Sequence, residues 1–423
     1  MKASTGRPPS VLIIVENLPV PFDRRVWSEA TSLAAAGYRV SVISPASRGY
    51  EAPYEVREGI RIYRHPLAPA DDTAIGYLRE YAGALFWQMR LAFRVRRECG
   101  LDVIHACNPP DLGFLVAAAF KALFGVRFVF DHHDLSPELY EAKFEKRGVL
   151  WLALRVFERL TFMTADVSIA TNESYRDIAV ARGGMKDEDV FVVRSGPRLD
   201  RLEIRQPKPE YRKGARFLVG YVGVIGRQEG LDLLIEAAVR LEALRGPGEV
   251  RYAIVGDGPK LEAMQALARQ RGVGPAFDFY GRASDETLLD VLNTADVCVN
   301  PDRACAMNDK STMNKIMEYM ALKKPIVQFD LLEGRRSAGG ASLYAARNDP
   351  DDFAAKLNLL LNQPRKRARM GALGRERVIS QLSWDASVPA LLAAYERALS
   401  KRPQGARVAS VRARFRQAAG AHR

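Results

Sequence analysis

Short runs rich in Val, Ile and Phe alternate with helical patterns along this chain, and that alternation most constrains its fold. Strands that are separated by helices form parallel sheets, because each helix carries the chain back to the edge where the next strand starts. The predicted strands are residues 11–15, 40–44, 60–64, 103–106, 127–131, 167–170 and 191–194 in the first half and 217–222, 251–255, 277–280, 297–300 and 325–329 in the second. The pattern therefore predicts an α/β protein with two tandem Rossmann-like, doubly wound parallel-sheet domains.

A polar stretch with two prolines, residues 201–215, interrupts this alternation and predicts a linker. We expect four segments: an N-terminal domain of residues 1–200, a C-terminal domain of residues 214–383, a last amphipathic helix over 384–400, and a tail over 401–423. The tail carries seven Lys and Arg residues and no acid, so we expect it to be disordered.

The charge and the cysteine content limit the classes of partner and the cellular compartment that the sequence favours. The net charge of +13, more than half of which lies in the tail, suits an anionic partner such as phosphate, membrane or nucleic acid. Four cysteines without a CxxC pair predict neither a disulfide framework nor a zinc ribbon and favour a reducing cytosol. The first apolar run is too short for a secretory signal, and no stretch approaches the roughly 18 apolar residues that cross a bilayer. We therefore expect a cytoplasmic protein.

Ligands of open α/β sheets bind at the carboxyl ends of strands, which directs attention to the loops that follow them. In the second half, the loop 223–230 follows a predicted strand and opens a helix. Gly223 and Gly226 would let the backbone approach a phosphate closely, and Arg227 would add a forked cation. The alternative is an ordinary tight turn between a strand and a helix, which also uses glycines.

Another loop of the second half leads into a helix for which we expect Ser311 or Thr312 as the N-cap. Free amides at that cap, with Lys310 and Lys315 nearby, would cradle an anion. Glu318 lies one to two turns into the helix and could accept hydrogen bonds from a ribose diol. The alternative is a capped amphipathic helix with solvated lysines.

Two of the five histidines stand together at the end of a first-half strand. Adjacent side chains on an extended backbone point to opposite sides, so His132 and His133 should not share a metal ion. We predict a general acid–base or substrate-binding histidine here, and capping by Asp134 or Ser136 is the structural alternative. His105, inside a predicted strand, is expected to be a hydrogen-bonded core residue.

Two helical segments of the first half, residues 77–97 and 144–164, combine an apolar aromatic stripe with several arginines. Such segments usually face a core and expose a solvated basic face. The alternative is docking on an anionic lipid surface, which gains weight if both segments lie on one face of the domain.

Five motifs occur in a set order along the chain. They are Val11-Leu-Ile-Ile-Val-Glu, Arg25-Val-Trp-Ser-Glu-Ala, Asp102-Val-Ile-His105, Val255-Gly-Asp-Gly-Pro259 and Lys315-Ile-Met-Glu318-Tyr-Met-Ala-Leu-Lys-Lys-Pro325. In order and spacing they resemble the family 4 glycosyltransferases of the GT-B fold, similar to bacterial enzymes of surface-polysaccharide assembly.

The resemblance implies two domains that face each other across a cleft and a retaining, hexosyltransferase-type reaction. A nucleotide-diphosphate sugar would be the donor, a glycan or lipid-linked glycan the acceptor, and neither a metal nor another cofactor would be required. Glu318 would bind the ribose, the 223–230 loop the diphosphate, and His133 would stand beside the donor sugar. We expect a peripheral location on the inner face of the plasma membrane and no nucleic-acid partner.

Three departures from the family pattern shape the site prediction. Lys310 stands where the family commonly has a Glu, so Asp309, Asn308 or the backbone would replace the usual sugar-hydroxyl acceptor. The usual cations of the diphosphate turn are absent from their positions, which leaves Arg227. The glycine-rich turn after the first strand is replaced by a segment ending in Asp23 and Arg24, which we place on the acceptor side.

Breaking a glycosyl phosphate bond develops charge on the diphosphate, and fixed donors lower that barrier. We assign this role to Arg227, Lys310 and the amides around Ser311 and Thr312. Two alternative functions remain: a GT-B nucleotide-sugar epimerase, and a basic membrane- or nucleic-acid-binding protein without transferase activity.

Overall fold

The structure is a computed structural model that describes residues 7–66, 74–144 and 146–401. It divides into two compact units, one formed by Met1–Val193 with Val388–Arg423 and the other by Arg194–Ser387. Residues 402–423, nearly all of the predicted basic tail, lie outside the described residues.

An eight-stranded sheet of order β3-β4-β2-β1-β5-β6-β7-β8 forms the centre of the first unit, with only β3 antiparallel to its neighbour. Its strands are β1 Ser10–Ile14, β2 Arg39–Ala46, β3 Tyr54–Arg57, β4 Ile60–Pro66, β5 Val103–Cys107, β6 Arg127–His132, β7 Val167–Ala170 and β8 Val190–Val192. Every residue of β1, β5 and β6 is buried, as expected of parallel strands covered on both faces. The antiparallel edge strand β3 was not predicted, and it is largely exposed.

Helices connect these strands. They are α1 Arg24–Ala35, α2 Ala74–Cys99, α3 Gly113–Phe124, α4 Ser136–Phe144, α5 Val149–Thr164 and α6 Glu173–Ala181. Asp23 caps α1, because its carboxylate accepts from the amides of Arg25 and Val26 at 3.1 Å each. This cap fixes the start of α1 after the 15–23 connection from β1, which sets Arg25 at the carboxyl edge of the sheet.

The second unit contains a six-stranded, all-parallel sheet of order β11-β10-β9-β12-β13-β14. Its strands are β9 Phe217–Val222, β10 Val250–Val255, β11 Phe277–Gly281, β12 Val297–Asn300, β13 Ile326–Phe329 and β14 Ser342–Ala345. Its helices are α7 Leu231–Arg245, α8 Leu261–Gln270, α9 Asp285–Thr294, α10 Asn314–Ala321, α11 Leu332–Ala338, α12 Pro350–Leu361 and α13 Pro364–Arg377. A short π-helix, Val378–Leu382, leads to α14, Trp384–Ser400. A boundary between the two units falls within α14.

Each sheet reverses its strand order at one point, and these points position the candidate sites. In the first unit the reversal lies between β1 and β5, and in the second between β9 and β12. A crevice opens at the carboxyl ends of the strands where an α/β sheet reverses, and ligands bind there. The two parallel-sheet domains predicted from the sequence are confirmed.

Among the described residues, no helix combines the length and apolar character that crossing a bilayer requires. The four cysteines are free thiols, three of them buried.

Candidate functional site

A buried polar cluster lies at the carboxyl ends of β5 and β6 in the first unit. Arg25, in the first turn of α1, donates from Nε and Nη2 to the two carboxylate oxygens of Asp131 at 3.2 and 2.8 Å. The same guanidinium donates from Nη1 to the carbonyl of Val193 at 2.9 Å, and its Nε lies 2.9 Å from Nε2 of His133. Glu29, one turn further along α1, lies 3.1 Å from Nη2. One guanidinium therefore links α1, the end of β6 and the chain after β8.

The charges of this cluster balance. Burial alone would raise the pKa of Asp131, but Arg25, His133 and His105 together hold it well below its usual range, so Asp131 is ionised. Burial and the neighbouring Asp131 raise the pKa of Glu29 well above its usual range, so Glu29 is neutral. Arg25 and Asp131 form a buried, bidentate ion pair, the geometry in which such pairs are strongest.

His105 and Asp131 tie the last helix of the chain to this cluster. Nδ1 of His105 lies 2.7 Å from the hydroxyl of Tyr395 on α14, and Nε2 lies 3.4 Å from Asp131. Burial lowers the pKa of His105, so its ring is neutral. The prediction that His105 is a hydrogen-bonded core residue is confirmed.

The two adjacent histidines occupy different surroundings. His132 is buried among the rings of Phe130, Phe162 and Tyr175, and burial lowers its pKa to about 3. His133 contacts Asp131 through Nε2, is 16% exposed at its side chain, and its backbone amide donates to Asn108 at 2.7 Å. His132 is therefore a packing residue, and His133 is the histidine that a ligand can reach.

Four groups of the cluster could in principle hold a metal, because ligand atoms of Glu29, Cys107, Asp131 and His133 lie within 4.8 Å of one another. Arg25 already places a positive charge among them. Burial also raises the pKa of the Cys107 thiol well above its usual range, which disfavours the thiolate that binds metals. The group fits an enclosed guanidinium better than a metal ion.

A recess opens beside this cluster, at the end of β1. Glu16 lies at its wall, accepts from Nε2 of Gln88 at 2.5 Å and lies 3.6 Å from Nε2 of His65. Of the two residues predicted on the acceptor side, Asp23 is the cap of α1 and Arg24 is exposed. The sequence interpretation missed Glu16, Gln88 and His65, whose separation along the chain conceals that they meet.

In the second unit, the 223–230 turn is packed so closely that only glycine fits at Gly230 within it and at Gly256 in the loop beside it. A Cβ on Gly230, which has φ +62°, would lie 2.1 Å from the carbonyl of Pro301. One on Gly256, at φ +147°, would lie 1.8 Å from the carbonyl of Gly223. Gly226 donates its amide to Glu229 at 3.0 Å, which closes the turn internally. The glycines therefore bring the turn against the ends of β10 and β12.

The loop after β12 holds the other side of this turn. Asn308 donates to the carbonyls of Gln228 and Arg303 at 3.0 and 2.9 Å. Nζ of Lys315 lies 2.7 Å from the buried Asp302 carboxylate and 4.9 Å from the centre of the Tyr221 ring. The two loops that the sequence singled out thus meet at the β9–β12 reversal, with the Lys315 ammonium against the glycine turn.

The structure corrects the start of α10. The helix begins at Asn314 with Met313 as its N-cap and no side-chain cap, so neither Ser311 nor Thr312 caps it. Ser311 instead donates its hydroxyl to the carbonyl of Met307 at 2.8 Å, which holds the preceding turn. The predicted cap was wrong because a local turn competes for the hydroxyl.

The other predicted donor-site residues differ in their surroundings. Asp309 accepts from the amide of Leu332 at 2.9 Å and from Arg347 at 2.7 Å, so its carboxylate holds the neighbouring loops together. Lys310 and Glu318 are partly exposed and Arg227 is exposed. Arg227, Lys310 and Glu318 therefore remain accessible at the carboxyl edge of the second sheet.

Comparison with known proteins identifies relatives of both units. Residues 23–196 match the family described as glycosyl transferase 4-like domain, and residues 216–363 match glycosyl transferases group 1. The chain is 25% identical over 360 residues to the alpha-D-kanosaminyltransferase of Streptomyces kanamyceticus, covering 79% of this chain and 88% of that protein.

Solved structures show the same fold. The sucrose-phosphate synthase of Thermosynechococcus elongatus superposes with a TM-score of 0.76 at 18% identity, covering 92% of this chain and 98% of that one. HepE of Anabaena, in complex with UDP-glucose, gives a TM-score of 0.69 at 15% identity, covering 92% and 99%.

Proposed function

Because this chain belongs to the glycosyltransferases of the GT-B fold, with a 4-like first half and a group 1 second half, we propose that it uses a nucleotide-diphosphate sugar as donor. The sugar moves to a glycan or lipid-linked glycan acceptor, with retention of anomeric configuration and without a required metal or other cofactor. The reaction serves the assembly of a cell-surface polysaccharide.

The meeting of the two loops at the β9–β12 reversal carries this proposal. A turn with a glycine-only position, a helix start and the Lys315 ammonium, which is paired with Asp302, stand at one sheet edge, the combination that binds diphosphates. Support comes from the Anabaena protein, which was solved with UDP-glucose on the same fold.

In the proposed reaction, the second unit stabilises the leaving diphosphate. As the bond between the sugar and the phosphate breaks, negative charge grows on the phosphate oxygens. Arg227 and Lys310 then supply cations, and the amides of the first turn of α10, which begins at Asn314 rather than at Ser311 or Thr312, supply dipoles. Glu318 accepts from the ribose hydroxyls, and Lys315 stabilises the turn from its place beside Asp302.

His133 is the proposed contact of the first unit with the donor sugar. Asp131 fixes its ring through Nε2, and Arg25 keeps Asp131 ionised. A ring held in this way presents Nδ1 to a ligand in a constant direction, which is the benefit of a supported polar group in a site.

We place the enzyme in the cytoplasm, at the inner face of the plasma membrane. The basic, aromatic helices of the first unit and a lipid-linked acceptor support this location. No nucleic-acid partner is proposed.

Two substitutions test the donor site. We expect Arg227→Ala and Glu318→Ala each to lower kcat/KM for the nucleotide sugar by roughly tenfold to a thousandfold. Losses of this order follow when one fixed polar group of an active site is removed. The matched control is Arg271→Ala, an arginine that precedes β11 at the opposite edge of the sheet and pairs with Glu236. Wild-type turnover and donor affinity in both site variants would contradict the assignment.

Acceptor dependence separates the proposal from its alternatives. A nucleotide-sugar epimerase consumes the donor without an acceptor, whereas a transferase releases nucleoside diphosphate faster when the acceptor is present. A basic binding protein consumes no sugar at all and binds its partner with strong salt dependence. The family matches in both halves of the chain favour the transferase.

A further inference from the structure

Helix α5 of the first unit exposes its apolar side. Val149, Leu152, Val156, Leu160 and Met163 are 37% to 88% exposed. Their spacing of three and four residues places them on one stripe of the helix, about 21 Å long at 1.5 Å per residue. We call this stripe the α5 face.

The buried side of α5 carries polar side chains beside Phe157 and Phe162, which pack on the core. Glu158 is 2% exposed and pairs with Arg182, and Thr161 donates its hydroxyl to the carbonyl of Phe157 at 2.8 Å. Of the helix's large apolar side chains, only Phe162 is fully buried. A helix that turns a carboxylate inward and five apolar side chains outward is arranged for surroundings less polar than water.

Cations and an aromatic ring border the α5 face. Between residues 143 and 163 the sequence carries five Lys and Arg residues against two acids, and one of those acids, Glu158, is buried. Arg147 and Arg155 lie over the Trp151 ring at 5.3 and 5.5 Å from its centre. Arg159 is exposed beside the stripe. Tryptophan and arginine beside exposed apolar side chains suit the headgroup level of a bilayer.

The neighbouring helices of the first unit also expose apolar side chains. Helix α5 packs against α3, and α3 packs against α2. Leu123 on α3 is 64% exposed, and Phe86 and Phe93 on α2 are 60% and 43% exposed. Arg96 of α2 lies 3.7 Å from the centre of the Phe124 ring. The two segments in which the sequence combined aromatics with arginines therefore join into one layer of helices.

We propose that the α5 face docks on a bilayer surface rich in anionic phospholipid. A second copy of this chain is a poorer occupant, because a symmetric contact would oppose the arginines of one copy to those of the other. The basic tail, residues 402–423, is also a poorer occupant, because its arginines would oppose those beside the α5 face. The proposal identifies the part of the chain that binds the membrane of the proposed function. It rests on the proposed function only for the biological role of that binding.

Vesicle flotation tests the proposal with the full chain. We expect wild type to float with vesicles of phosphatidylglycerol and phosphatidylcholine and much less with phosphatidylcholine alone. The double variant Leu152→Glu, Val156→Glu should lower the partition coefficient by about tenfold or more, since it removes two inserted side chains and adds two repelled charges. The matched control, Leu244→Glu with Leu373→Glu, adds the same charges at exposed leucines of the second unit and should bind as wild type does.

Two further readouts keep the outcomes separate. Thermal stabilisation by the nucleotide sugar should be the same in both double variants, so a loss of vesicle binding with intact donor binding supports the α5 face alone. If the nucleotide sugar does not raise the unfolding temperature of wild type, that result would count against the proposed function and not against docking by the α5 face. Wild-type flotation of the Leu152→Glu, Val156→Glu variant would overturn the proposal. A wild-type dimer that this variant dissociates would also overturn it, in favour of a second copy.

Discussion

The Arg25–Asp131 pair is the most demanding interaction of the first unit. Both side chains are taken from water, and their two parallel hydrogen bonds compensate for that loss only while both partners are present. We expect Asp131→Asn to lower the free energy of unfolding of the first unit by up to about 3–5 kcal/mol, because it removes the bidentate partner of a buried guanidinium and leaves Glu29 as the remaining carboxylate beside it. Urea unfolding followed by a signal from this unit measures the change.

The control for this prediction is an exposed Arg–Asp pair that is joined by one hydrogen bond. Asp187 lies 2.5 Å from Arg176, and the two side chains are 68% and 38% exposed. Asp187→Asn should cost about 0–1 kcal/mol. Equal costs for the two substitutions would show that burial of the Arg25–Asp131 pair contributes nothing.

Asp111 gives the first unit a pH dependence of defined sign. Burial raises its pKa to about 6 from 3.8, against hydrogen bonds from Asn108 and Ser136, with Asp134 raising it further and Arg182 lowering it. The folded state therefore binds the proton more tightly, and its stability falls as pH rises from about 4 to about 6, by about 3 kcal/mol. Asp111→Asn removes this contribution. The urea midpoint of the variant should then rise relative to wild type over that pH window, and a constant difference would contradict the prediction.

Among elements, the glycine turn of the second unit depends on the strand beside it. Gly256→Ala would place a methyl group against the carbonyl of Gly223 and displace the turn. We expect the donor dissociation constant to rise by tenfold or more, roughly the effect of losing one well-placed phosphate contact. Isothermal titration with the nucleoside diphosphate measures it.

Gly246→Ala is the matched control for this turn. Gly246 also has a positive φ, +91°, but no atom lies within 4 Å of its would-be Cβ. Its substitution should cost about 1 kcal/mol of backbone strain and leave donor affinity unchanged. Equal donor affinity of the two variants would show that backbone strain, rather than contact with Gly223, limits the turn.

Elements with a clear pattern of apolar residues could be predicted from the sequence. Elements whose bounds depend on competing hydrogen bonds or on pairing at a sheet edge could not. The strands 167–170, 217–222 and 297–300 agree residue for residue with β7, β9 and β12, because each is a fully buried and mostly apolar run between clear breaks. Strand β3 was missed because it pairs only at an edge and its side chains stay in water. The start of α10 was misplaced because Ser311 bonds backward to Met307 instead of capping the helix.

The location of the candidate site could be predicted from the sequence, but the contacts between its residues could not. Glycines, lysines and Glu318 after the strands marked the loops, since ligands of such sheets bind at that edge. Nothing in the local sequence places Tyr395 beside His105, which precedes it by 290 residues. The spacing of Arg25 and Glu29 by one helical turn was visible, but their partner Asp131 is known only once β6 lies beside β5.

At the scale of the whole molecule, hydrogen exchange can assign each part of the donor to a unit. We expect a nucleoside diphosphate to slow exchange in the 223–235 and 301–321 segments only, because its proposed contacts all lie in the second unit. The intact nucleotide sugar should in addition slow exchange around His133, the proposed contact of the sugar. A panel of UDP, GDP and ADP sugars, ranked first by thermal stabilisation, identifies the base, since a ligand of the native state raises the unfolding temperature. Protection around His133 by the diphosphate alone would contradict this division, and protection of neither segment by any sugar would remove the support for Arg227, Lys310 and Glu318 as donor ligands.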